Sequence, residues 1–305
     1  MNIPFPDLWI IVSLAAAAFQ TVRFMLQKHL ATATLSAGGA TFSRFLYSIP
    51  FILALLAAYL LISGKPMPQI GAGFWIYGLA GATAQILATV CVVLLFKQRN
   101  FAVGITFKKT EVIQTVLMGW ILLGEGVSTL GFAAIALGIV GLLLLSGGPE
   151  AKGWRLGDLR NRAAGLGLAS GILFSISAVS YRGASLTVVE TDPILRAAVT
   201  LAAVVTMQTL IMVIWLRLRE PGEITAVWSA RKVAIWIGLT SMGGSLCWFI
   251  AFTLQNAAYV KAVGQAELIL SVAASTLFFQ EKITPREWAG MAILMGSILM
   301  LVLVI

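Results

Sequence analysis

Glu111 and Glu267 each fall inside a long apolar segment, 156 positions apart, and the same offset relates Cys91 to Cys247, Phe96 to Phe252, Asn100 to Asn256, Glu125 to Glu281 and Ala133 to Ala289. A spacing shared by so many unlike residues implies that one unit has been duplicated. The chain therefore reads as two five-helix repeats, residues 1–148 and 163–305, joined by a basic connecting loop over 149–162.

Composition decides the solvent. With 59% hydrophobic residues, 11% charged residues and a mean hydropathy of +0.95, the chain cannot present a mostly polar surface to water. An integral membrane protein is implied. Roughly 20 apolar residues cross the hydrocarbon core as a helix, and the sequence divides into ten such spans: 8–30, 36–62, 72–96, 101–123, 128–146, 163–184, 193–216, 233–255, 260–279 and 286–305. These runs are continuously apolar and do not alternate, which excludes a β-barrel. The fold class expected is an all-α integral membrane protein of ten transmembrane helices, arranged as two inverted five-helix repeats. The segment Met1–Asp7 lacks a basic stretch, and the first run continues to full spanning length, so it reads as a mature helix and not a cleaved signal.

The net charge of +9 comes from 21 basic and 12 acidic residues. Most of the basic residues lie in hinges between spans, where topology and lipid headgroups account for them and nucleic acid does not. Alternate hinges carry Lys28, Lys97, Arg99, Lys152, Arg155, Arg160, Arg162, Arg217, Arg219, Arg231, Lys232, Lys282 and Arg286, whereas the opposite set carries Lys65, Arg182 and Lys261, with Arg196 near its border. The positive-inside rule makes the first face cytoplasmic and both termini external.

Lys109-Thr110-Glu111-Val112 runs on to Leu122-Leu123-Gly124-Glu125, and Ala266-Glu267-Leu268 runs on to Phe279-Gln280-Glu281, with the glutamates 14 positions apart each time. Together with Arg44-Phe45-Leu46 in the second span, this resembles the duplicated EamA-type members of the drug/metabolite transporter superfamily. The resemblance implies two EamA-like repeats, a transport function and termini in the cytoplasm, the reverse of the charge bias. Two departures stand out. The proline that commonly follows the glutamate is replaced by Val112 and Leu268, so a weaker kink is expected. The tryptophan-rich opening of the first helix is replaced by Phe19-Gln20-Thr21-Val22-Arg23.

Ionisable residues inside spans are costly and mark pathways or binding sites by default. A carboxylate at the depth of Glu111 or Glu267 favours its neutral form unless a cation is near. Lys108, three residues before Glu111, shares its helix face and is its natural partner. Lys109 lies about 200° round the helix and must face something else. In the second half, Gly264 and Gln265 occupy the positions of Lys108 and Lys109, so the carboxylates repeat and the cations do not. Gln20, Arg23 and Gln27 form one polar stripe, Arg44 lies at similar depth, and these cations converge with Lys108 and Lys109. Gln85, Thr89, Ser175, Ser177, Ser180, Ser245 and Trp248 could add polar and aromatic walls.

Each residue also has a plainer reading. Glu111 and Lys108 could be an internal ion pair, Arg23 and Arg44 could snorkel towards headgroups, and Trp120 and Trp248 could be core packing. Glu125 and Glu281 read as helix-end or loop-ordering groups. His29 reads as interfacial, Gly138, Gly141 and Gly167–Gly171 as close helix packing, and Trp9, Trp154, Trp228, Trp236 and Trp288 as interfacial anchors. Cys91 and Cys247 read as packed small residues.

The substrate-binding or coupling residues expected are thus Glu111, Glu267, Lys108, Arg44, Arg23, Gln20, Gln85 and Trp248. No catalytic cluster, metal site, cofactor or phosphate-binding motif is expected. The implied partners are a small-molecule substrate, the lipid bilayer and a coupling proton, in a bacterial cytoplasmic (inner) membrane; small-residue faces permit a homo-oligomer. The function expected is gradient-coupled export of a small anionic or zwitterionic, amino-acid-like metabolite by alternating access, with proton-coupled export of hydrophobic amines as the alternative. A channel, a lipid scramblase and an intramembrane enzyme are the remoter readings.

Overall fold

The apolar runs fold as helices in a computed structural model that describes residues 5–96, 108–146, 162–270 and 285–304. In chain order these are α1 (Phe5–Ala33), α2 (Ala37–Leu46), α3 (Ile49–Ser63), β1 (Gln69–Ile70), α4 (Phe74–Phe96), α5 (Glu111–Leu123), α6 (Thr129–Ser146), α7 (Arg162–Leu186), β2 (Val188–Val189), α8 (Pro193–Arg219), α9 (Glu223–Ser229), α10 (Arg231–Leu254), α11 (Ala257–Val263) and α12 (Pro285–Val304). Among the described residues, six stretches are long and apolar enough to cross a membrane: Leu8–Ala31, Ala37–Ser63, Phe74–Leu95, Arg162–Leu186, Pro193–Arg219 and Arg231–Leu254. The protein is a multi-pass, all-α membrane protein. Hinge residues Lys97, Arg99, Lys152, Arg155, Arg160 and Lys282, together with Trp154 and Glu281, lie outside the described residues.

Local chemistry sets the helix ends. Asp192 caps α8 by accepting from the Ile194 and Leu195 amides, and Pro193 occupies the first turn, where no amide partner is needed. Asn256 caps α11 in the same way. Gly64 and Gly124 end α3 and α5 in the left-handed region, at φ 65° and 67°, which costs a glycine little. The span expected over 36–62 is broken between α2 and α3 at Tyr47–Ser48. Pro50, in the first turn of α3, donates no backbone hydrogen bond, and Ser48 Oγ bonds the Arg44 carbonyl at 2.6 Å and the Gly238 carbonyl at 2.9 Å.

The most extensive helix contacts join the two halves. α4 packs along α7, α1 along α10 and α6 along α12. The 156-residue offset carries α1 onto α7, α4 onto α10 and α6 onto α12. The first two pairings therefore exchange and the third maps onto itself. Small residues allow the approach: a Cβ on Gly141 would lie 2.7 Å from the Leu294 amide nitrogen, and one on Gly81 would lie 2.5 Å from the Tyr181 ring. The outer surface is apolar, with Leu61, Ile62, Ile76, Ile214, Leu218 and Leu303 all exposed, as a lipid-facing surface requires. Trp120 also faces outward, 66% exposed, and does not pack in the core; Trp9 is buried.

Two small elements escape hydropathy. β1 and β2 pair antiparallel through Gln69–Val189 and Ile70–Val188 and tie hinge 64–73 to hinge 187–192. At the other end, the Ser36 amide donates to Glu223 and its hydroxyl donates to Glu220, joining the α1–α2 hinge to the start of α9.

Candidate functional site

In both halves a turn precedes the embedded glutamate. Lys109 and Thr110 form a turn, and α5 begins at Glu111. In the second half α11 ends at Val263, Gly264 and Gln265 form a turn, and residues 266–270 are helical again. The turn is tightened by three-residue bonds, Gln265 N to Ala262 O at 3.1 Å and Glu267 N to Gly264 O at 3.1 Å. The chain forms these turns without the proline. A break needs partners for the backbone groups it frees, and a proline is only one way to create it. The carbonyl of Glu111 accepts from Ser175 Oγ at 2.8 Å and Thr115 Oγ1 at 2.7 Å, and the Trp248 ring fills the space above Gly264, where a Cβ would come within 2.2 Å of it. As the first residue of α5, Glu111 has a carboxylate at the positive end of the helix dipole.

The two carboxylates are held by crossed ion pairs. Glu111 receives Lys108 at 3.5 Å from its own half and Lys261 at 3.5 Å from the other. Glu267 receives Lys109 at 3.5 Å from the first half and Gln20 Nε2 at 2.7 Å from α1. Lys108, Lys109, Glu111 and Lys261 are all buried. The hinge position assigned to Lys261 is thus a second correction. It belongs to the short helix before the break, and so supplies the second-half cation that the offset does not place.

Arg23 and Arg44 are buried at 3% and 5% exposure and do not reach the headgroups. Arg44 donates to two neutral hydroxyls, Thr89 at 3.1 Å and Ser245 at 3.4 Å. Arg23 lies over the Phe24 ring, 4.4 Å from its centre, and its Nη1 has no hydrogen-bond partner. Neither guanidinium forms a salt bridge among the described residues.

Both line one internal cavity of about 20 Å³, room for a water or two but not for a metabolite. The first half contributes Gln20 and Arg23 from α1, Arg44 from α2 and Gln85 from α4. The second half contributes Ser177 and Tyr181 from α7, Ser245, Trp248 and Phe252 from α10, and Lys261 from α11. Gln85 accepts from Gln208 at 2.8 Å and Tyr181 at 3.1 Å. Trp248 stacks on Phe252 at 5.7 Å and carries the Lys261 ammonium 4.9 Å from its ring centre. Of the eight residues expected at the site, Gln20, Arg23, Arg44, Gln85 and Trp248 line the cavity, while Lys108, Glu111 and Glu267 form the adjoining ion-pair cluster.

The flanking glutamate lies elsewhere. Glu125 takes a two-oxygen contact from Arg182 at 2.7 and 2.9 Å, and Arg182 also donates to the carbonyls of Phe252 at 2.7 Å and Gln255 at 2.8 Å. It orders a helix end, as read from the sequence. Cys91 and Cys247 are free thiols. No group of three or more metal-ligating side chains occurs among the described residues.

A crystal structure of another protein shares this fold, with a TM-score of 0.68 over 98% of this chain and 96% of the other at 14% identity. No curated protein matches the chain. Residues 161–303 match the EamA-like transporter family, a family of the drug/metabolite transporter superfamily.

Proposed function

We propose that this chain is a secondary transporter of ten membrane-spanning helices in two inverted five-helix repeats, and that it moves a small anionic or zwitterionic, amino-acid-like metabolite by alternating access. An odd number of spans returns a repeat to the opposite face, so its second copy starts upside down. The exchange of the α4–α7 and α1–α10 pairings under the 156-residue offset supports that symmetry. No ATP-binding motif is present in the sequence, so a gradient supplies the energy, with Glu111 and Glu267 as the candidate coupling groups. The basic hinges favour export across a bacterial cytoplasmic (inner) membrane.

The observation that carries the reading is the pair of buried guanidiniums on the cavity. A buried cation without a direct counter-ion is costly; Arg44 has hydroxyl partners, and Arg23, which lies over a ring and feels Glu267 only at longer range, forms no salt bridge among the described residues. An anionic ligand supplies what they lack. The amine reading needs a free Glu267, and Lys109 and Gln20 already hold that carboxylate.

Thermal stabilisation of the purified protein by amino acids, organic acids, nucleotides and lipophilic amines, at pH 6 and pH 8, tests this. Anions are expected to raise the melting temperature, and Arg44→Gln is expected to weaken them about tenfold or more. Stabilisation by amines, lost in Glu267→Gln, overturns the assignment.

A further inference from the structure

We infer that Lys261 is shared between two anions, Glu111 and the negatively charged group of the substrate, and that substrate binding draws it away from Glu111. The inference deepens the anion reading above and rests on it. Lys261 both lines the cavity and forms an ion pair with Glu111. Its ammonium stands 3.5 Å from Glu111 Oε1, on the boundary between the ion-pair cluster and the space bounded by Arg23 and Arg44.

The surroundings suit an ammonium that changes partners. Its centre lies 4.9 Å from the Trp248 ring, 5.6 Å from Phe174 and 6.0 Å from Phe252. Ring faces attract a cation at these distances without fixing it in direction, and lysine is a compact charge on a flexible stem. Glu111 is not stranded when Lys261 turns, because Lys108 remains 3.5 Å from its other oxygen. An anion placed between the arginines would take the third cation at small cost to the cluster.

The consequence reaches beyond affinity. Lys261 belongs to α11 in the second half, and Glu111 opens α5 in the first, so their ion pair ties α11 to α5. Occupying the cavity loosens that tie. By reciprocity, the factor by which Glu111 weakens anion binding is the factor by which the anion weakens the tie. Occupancy and movement are then linked through one side chain.

The test uses the full chain in detergent, with phenylacetate and succinate as anionic probes and phenethylamine as the cationic control, and reads apparent affinity from the concentration dependence of the melting temperature. Lys261→Gln should weaken the better anion about tenfold or more, and Lys261→Arg should restore most of it. Glu111→Gln should tighten it several-fold, because the competing carboxylate is gone. The pair Lys261→Gln with Glu111→Gln should bind like Lys261→Gln alone. A purely structural Lys261 gives no tightening on removal of Glu111. If Glu111→Gln does not fold, Glu111→Gln with Lys108→Gln removes one charge of each sign and answers the same question. Unchanged or weaker binding on loss of Glu111, in a wild type that binds the anions, overturns the sharing. Stabilisation by neither anion overturns the anion site and this inference with it.

Discussion

Asp192 is held by more partners than a helix cap needs. Besides the Ile194 and Leu195 amides, its carboxylate accepts from Tyr59 Oη and from Lys65 Nζ at 3.0 Å, and Glu190 lies 3.6 Å from the same ammonium. Burial pushes the Asp192 carboxyl up, but these donors outweigh it and hold the group below its ordinary value. A carboxyl with a depressed folded value stabilises the fold above its unfolded pKa, and loses that contribution as pH falls through the folded one. Asp192→Asn keeps a capping oxygen and removes the charge. At pH 7 the variant should be less stable by about 1–3 kcal/mol, and the gap should close as pH falls below about 4. Melting curves of both proteins from pH 7 to pH 3 decide it; a gap independent of pH means that the cap, not the charge, is at work.

At the scale of elements, glycines decide which helices can meet. A Cβ on Gly141 of α6 would lie 2.7 Å from the backbone nitrogen of Leu294 and 2.9 Å from the Gly290 carbonyl, and backbone cannot rotate aside. Gly141→Ala is expected to push α6 from α12 and cost about 1–3 kcal/mol. Gly165→Ala in α7, with nothing within 4 Å, should be neutral or slightly stabilising. Denaturation of the two variants side by side checks the contrast. The close packing at Gly141 was legible in the sequence, as were Arg23, Arg44 and Glu111, because a charge or a gap in an apolar run is conspicuous. Lys261 was not. Its distance along the chain puts it at a hinge, and only the break at Gly264–Gln265, made without proline and supported by Trp248 from α10, carries it inside. The kink after Tyr47 and the β1–β2 bridge were hidden for a similar reason: each is fixed by a few contacts from distant segments, and hydropathy averages over them.

For the whole molecule, alternating access as proposed above requires one end to close when the other opens, and the ties at one end are now visible. Arg182 binds Glu125 and the carbonyls of Phe252 and Gln255, Asn256 Nδ2 donates to the Gly126 carbonyl at 3.2 Å, and the Ser128 amide donates to Tyr259 Oη at 2.9 Å. Hinge 124–128 of the first half is thereby fastened to the end of α10 and the start of α11 in the second. The stacked pairs Tyr181–Phe249 and Trp248–Phe252 lie in the helices beneath. Charge-assisted bonds of this kind are each worth about 1.5–3 kcal/mol net, enough to shift a two-state population about tenfold or more. Arg182→Gln should therefore favour conformations open at this end. A cysteine at Ser177, on the cavity wall, in a chain with Cys91→Ala and Cys247→Ala, should react at least about tenfold faster with an impermeant thiol reagent applied from the side of hinge 124–128 once Arg182 is replaced. Equal rates with and without Arg182 mean that the clasp only braces the helix ends, and closure of this end then rests on the aromatic pairs.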